Sequence, residues 1–74
     1  MKRPHVHGVY RHKKTKAKYC VLGLVTNATN GDQEGRLMVR YVPEAYMGQP
    51  DAVEFVRNVE EFCDGRFTGK FVEL

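Results

Sequence analysis

The sequence carries no tryptophan, only two cysteines and no apolar run long enough to span a bilayer. Cys20 and Cys63 form neither a CxxC pair nor a spaced set with histidines, which excludes a zinc framework. No signal-peptide pattern opens the chain, so a reduced, cytoplasmic protein is expected. Glycine-rich phosphate signatures and long amphipathic helices are also missing, which argues against nucleotide-binding α/β folds. Acid is absent from the first eighteen residues, where Lys2, Arg3, Arg11, Lys13, Lys14, Lys16 and Lys18 crowd together. The C-terminal half is acidic by contrast, with Glu54, Glu60, Glu61, Asp64 and Glu73. This asymmetry favours an anionic partner near the N-terminus, whether nucleic acid, nucleotide or an acidic protein surface, against the plain alternative of a solvated hairpin tip.

What is present is a single small domain. At 74 residues and 42% hydrophobic content the chain buries only ~60% of its unfolded surface, too little for two cores. Dimerisation is a natural route to further burial for a chain of this size, so a homo-oligomer is among the expectations.

Residues 1–7 read as a loose basic arm, with Pro4 interrupting pairing, and residues 8–74 as the folded unit. Gly8 to His12 reads as a first strand, Lys13 to Ala17 as a basic turn, and Lys18 to Thr26 as a second strand apolar on both faces. In that strand Tyr19, Val21, Gly23 and Val25 alternate with Cys20, Leu22 and Leu24, and Gly23 marks a bend or bulge. Asn27 to Gly35 is a connection, Leu37 to Val42 a third strand, Glu44 to Asp51 a loop, and Val53 to Asn58 a fourth strand. Asn58 is placed to cap a single helical turn, Val59 to Phe62, and Asp64-Gly65 turns into a last strand over Phe67 to Val72. Five short strands, glycine bends and one helical turn predict a mainly β fold, a small, strongly bent five-stranded barrel or roll.

Several blocks of the chain resemble the short bacterial and phage proteins grouped as domain of unknown function family 1653. That pattern runs YRH, K, YEVLG, VVY and WVRPLEMF. It is met here by Tyr10-Arg11-His12, Lys14, Tyr19-Cys20-Val21-Leu22-Gly23, Val39-Arg40-Tyr41 and the segment from Phe55 to Phe62. The chain departs from it at Asn27, where the family commonly has histidine, and at Phe55 and Asn58, where it has tryptophan and proline. The resemblance implies a Src-homology-3-like barrel and imports no activity; it suits a stand-alone sequestering module, in phages a sponge for a bacterial immune signal.

Two basic aromatic strands carry the candidate binding residues: Tyr10, Arg11 and His12 in one, Phe55 and Arg57 in the other, with Arg40 and Tyr41 between them. Guanidinium groups grip phosphate or carboxylate in two-toothed fashion and stack on rings, and Tyr19 could add another ring. The competing reading has the arginines pointing outward while the rings fill the core. His5, His7 and His12 make a poor metal site, and His12 has no evident nucleophile or orienting carboxylate beside it. Glu60 and Glu61, about 100° apart on a helical turn, do not form an acid and base pair. No catalytic set, metal or cofactor is therefore expected, and an enzyme is the least favoured class.

Three readings stand. In the first, a non-enzymatic module holds a small anionic ligand, a nucleotide or nucleotide-like signal, through Tyr10, Arg11, Tyr41 and Arg57. In the second, Lys13, Lys14, Lys16 and Lys18 form a basic track for RNA or single-stranded DNA and tyrosines stack on its bases, although a net charge of +3 is modest for such a role. In the third, an exposed sheet edge or aromatic groove takes a protein partner or inhibits it.

Overall fold

Alternation with a period of two sends one set of side chains from each successive strand to the inside of a curled sheet, and this sheet organises the molecule. The computed structural model describes residues 2–28, 31–32 and 34–73. Met1 of the expected arm, Thr29, Asn30 and Gln33 of the expected connection, and Leu74 lie outside the described residues. Strands run over Lys2–Pro4 (β1), Val9–His12 (β2), Lys18–Thr26 (β3), Leu37–Pro43 (β4), Phe55–Asn58 (β5), Phe67–Thr68 (β6) and Phe71–Glu73 (β7). A 3-10 turn covers Glu44–Tyr46 and one α-helical turn, α1, covers Val59–Phe62. The main sheet has the order β5-β4-β3-β2-β6, all antiparallel, and β1 pairs with β7 separately. The result is a small, mainly β domain whose curled half-barrel sheet is consistent with a Src-homology-3-like roll.

The concave side holds the core: Tyr10, Val21, Val39, Tyr41, Val59, Phe62 and Phe67. α1 closes it with Val59 and Phe62, and the fully buried Phe62 stacks on Phe67 at 4.2 Å between ring centroids. Burying one such ring stabilises the fold by roughly 1.5–3 kcal/mol. Asn58 stands at the N-cap without a side-chain capping bond, contrary to expectation. It is still the last residue of β5, opposite Met38, so the sheet rather than the helix directs its side chain.

The expected bend in β3 is a bulge, with the register shifting between Val21 and Gly23. One inserted residue reverses the alternation beyond it. Leu24, expected on the face opposite Val21, therefore packs against the same core, opposite Val39. On the convex face Cys20 and Val42 are buried outside that core, beside the polypeptide from Glu44 to Glu54 that folds across β3 and β4.

Two further expectations are corrected. Lys2–Pro4 is not loose: it pairs with β7, with Arg3 opposite Val72, and Pro4 is buried. Proline is tolerated because a strand with a single neighbour does not need every amide. The single last strand is instead two, β6 against β2 and β7 against β1, parted at Gly69. A Cβ on Gly69 would lie 2.5 Å from the Tyr10 ring, so the chain turns there because only glycine lets that ring pass. Tyr10 then ties the two sheets together: its hydroxyl donates to the Lys70 carbonyl and accepts from the His5 amide at 2.8 Å.

Candidate functional site

The register decides which of the predicted residues can meet. Tyr10 faces Tyr19 in the β2–β3 pair, so Arg11 and its opposite number Lys18 must project from the other side of the sheet. Arg57 faces the core residue Val39, which puts Phe55 and Arg57 on the concave side and Val56 on the convex side. Arg11 and Arg57 are thus on opposite faces and do not form one grip. Arg40 also leaves the set: it is convex, exposed and ion-paired with Glu54 at 3.0 Å. Tyr10, 1% exposed, is a core residue and cannot present its ring to a ligand.

Four of the seven predicted binding residues do meet. His12, Tyr41, Phe55 and Arg57 line a cleft of 180 Å³ together with Thr15, Tyr19 and Phe67. Tyr41 and Tyr19 form its floor, edge to face at 5.4 Å, and Phe55 leans on Tyr41 at 5.6 Å while remaining 45% exposed. The Arg57 Nε donates to the Tyr41 hydroxyl at 3.3 Å, which raises the guanidinium pKa further above its ordinary value. Neighbouring arginines differ: Arg66 is paired with Asp64 at 2.9 Å and holds that carboxyl below its usual range. Arg57 keeps a neutral partner in direct contact and makes no direct ion pair among the described residues, while the carboxylates of Glu61 and Asp64 act on it from further off.

His12 serves the turn beside the cleft. Its Nδ1 accepts from the amides of Lys14 and Thr15, at 3.2 and 3.4 Å, so the neutral ring carries its proton on Nε2. The turn it organises holds Lys13, Lys14 and Lys16, all exposed, and Lys16 adopts a positive φ of 65° at its tip. Thr15 of the same turn lines the cleft, though none of its lysines does, while Lys18 goes with Arg11 to the convex face. Among the described residues, no three histidine, cysteine or acidic side chains gather as a metal site, Cys20 and Cys63 are free thiols, and no helix is long and apolar enough to cross a membrane.

A second groove, of 330 Å³, adjoins the first and shares Phe55 with it, lined by Pro43, Tyr46, Ala52 and Val53 among others. Five of the seven exposed large apolar side chains among the described residues lie on or before β5: Tyr46, Val53 (74%) and Phe55 line this groove, Met47 follows Tyr46, and Val56 (56%) is on the convex face, while Val6 and Val9 lie before and on β2. Sequence reasoning assigns these residues to strand or loop without exposing them, because alternation identifies a strand but not whether a neighbour covers it. Compared with protein-family models, curated proteins and solved structures, the chain matches none.

Proposed function

We propose that this protein is a non-enzymatic protein-interaction module that receives an extended segment of a partner along β5, with the Phe55 groove and the Arg57 cleft as side-chain pockets. One observation carries the reading: β5 is the outer strand of the main sheet, and the apolar side chains on and before it are exposed. Edge strands that are meant to stay alone are blunted by lysine, proline, bulges, inward-pointing charges or a covering segment; Phe55–Asn58 contains neither lysine nor proline, and its one charge, Arg57, is held against the Tyr41 hydroxyl. A strand added there gains backbone hydrogen bonds from the edge and specificity from alternate side chains. Arg57 supplies a preference for a carboxylate, and Phe55 for an apolar residue two positions away.

The small-ligand reading has less support in one copy of the chain. The Arg57 cleft, at 180 Å³, falls below the ~300–1,000 Å³ typical of sites that bury a small molecule, the 330 Å³ groove reaches that range but has no cation in its lining, and the cations of the first strand face elsewhere. Nucleic acid is favoured by one specific observation, that Thr15 of the lysine-bearing turn lines an aromatic cleft. It predicts binding of oligouridylate or oligothymidylate that weakens steeply with salt and with Lys14→Glu. The resemblance to domain of unknown function family 1653 is retained as a proposal and adds no activity to either reading.

Selection of extended peptides from a displayed random library on the immobilised protein tests the main reading. Enriched peptides should lose about tenfold or more in affinity on Val53→Glu and on Phe55→Ser, with circular dichroism unchanged. Peptides that bind both variants as well as wild type would overturn it, as would no enrichment by protein held at a dilution where it is a single chain.

A further inference from the structure

The exposed edge specifies its own partner. We infer that the strand added to β5 is β5 of a second copy of this chain, paired antiparallel about a twofold axis that passes through Val56; this rests on β5 being the interaction edge.

Geometry limits the choices. A twofold axis that joins two edges antiparallel must run perpendicular to the sheet, so each residue faces one of the same parity and concave stays with concave. An axis through Arg57 would set two guanidinium groups opposite each other. An axis through Phe55 would set Glu54, already paired with Arg40, against the partner's Val56. Centred on Val56, the register has no such conflict: valine meets valine on the convex face, Glu54 meets the partner's Asn58, and Arg57 meets the partner's Phe55 on the concave face.

The last pair is what makes the arrangement functional. Arg57 has a hydroxyl as its direct partner, with Glu61 and Asp64 acting only from further off, and a guanidinium over an aromatic face is attracted by the ring quadrupole. Each copy would contribute Phe55 to the open side of its neighbour's cleft, where the wall of Tyr19, Tyr41 and Phe55 now ends at the sheet edge. The cleft is incomplete without the second chain. Val56, 56% exposed and otherwise bare on the convex face, is covered at the same time, and one continuous ten-stranded sheet results from two five-stranded ones. A chain of 74 residues with a single small core stands to gain from this burial.

Sedimentation equilibrium from about 1 to about 500 µM reads the association directly. Wild type should rise to twice the 8.5 kDa chain mass, and Val56→Lys should remain at the chain mass with an unchanged circular dichroism spectrum. In a Cys63→Ser background, Val56→Cys should oxidise to a covalent dimer, because residues on the axis lie within the ~4.4–6.8 Å Cα separation a disulfide needs. Phe55→Cys, offset from its own copy by two residues along the strand, should cross-link at least about tenfold more slowly. Wild type at the chain mass throughout, or a dimer that Val56→Lys leaves intact, would overturn the inference. If the chain is monomeric while selected peptides still depend on Val53 and Phe55, only the second copy is refuted; if peptides show no such dependence either, the edge reading fails with it.

Discussion

At one edge of the main sheet β6 is two residues long, with Phe67 buried and Gly69 turning the chain away. At the other, β5 runs for four residues and leaves Phe55 and Val56 half exposed. Both edges are made of the same kinds of residue, an aromatic followed by a β-branched or polar one. The difference lies in the course the backbone takes after each strand. After Thr68 the backbone passes over Tyr10 and joins the second sheet, so the edge is shielded by its own continuation. After Asn58 the chain dives into α1 beneath the core, and β5 is left with one neighbour. Shielding an edge is thus a matter of path, and an aromatic residue becomes core or contact surface accordingly.

The largest expected effect comes from breaking the closed side. Phe62→Ala should cost about 3–5 kcal/mol, because its ring is fully buried against Tyr10, Tyr41 and Phe67. Total stability for a chain this size is roughly 4–11 kcal/mol at ~0.05–0.15 kcal/mol per residue, so urea denaturation should show a large share of it gone in this variant.

Gly69→Ala attacks the shield itself. Its Cβ would collide with a Tyr10 ring held between Phe62 and Phe71, and a loss of about 1–3 kcal/mol is expected in the same measurement. Hydrogen exchange should then show β1 and β7 opening before the main sheet.

Tyr10→Phe should cost a comparable amount, about 1–3 kcal/mol, since it strands the buried ends of one tie between the sheets. It also sharpens a pH dependence. Burial pushes the Tyr10 phenol above its usual value of 10.0, so the folded state keeps the proton longer than the unfolded chain does. Stability is therefore fully present below about pH 10 and declines as pH rises beyond it toward the folded value. Thermal melts across that range should show the decline in wild type and lack this component in Tyr10→Phe.

On the open side, stability should hardly respond. Glu54→Gln removes an exposed ion pair worth about 0–1 kcal/mol, and Val56→Lys should stay within about 0.5 kcal/mol of wild type while abolishing self-association. A large loss of stability in Val56→Lys measured on the monomer would show that the two edges are not so different after all.

Much of this fold is legible in the sequence. Alternation in Lys18 to Thr26, the bend at Gly23, the turn at Asp64-Gly65 and the helical turn after Asn58 are local, and local sterics set them. The meeting of His12, Tyr41, Phe55 and Arg57 is foreshadowed by residue type alone. Arg11 is misplaced by the same reasoning because two strands each carrying an arginine beside an aromatic look alike until their registers are known. In one the arginine flanks Tyr10 and alternates away from the core; in the other it lies two residues from Phe55 and shares its face.

The sequence by itself determined the class of structure, the single core and the uneven charge, because period, composition and turn chemistry act over a few residues at a time. Only the tertiary structure decided which aromatic rings fill the interior and which remain at the surface, that Lys2–Pro4 is a strand, and that β5 stands at an open edge. Those depend on pairing between residues far apart in the chain, such as Arg3 with Val72 and Tyr41 with Phe55. Long-range register is fixed by the packing of the whole and by no local preference.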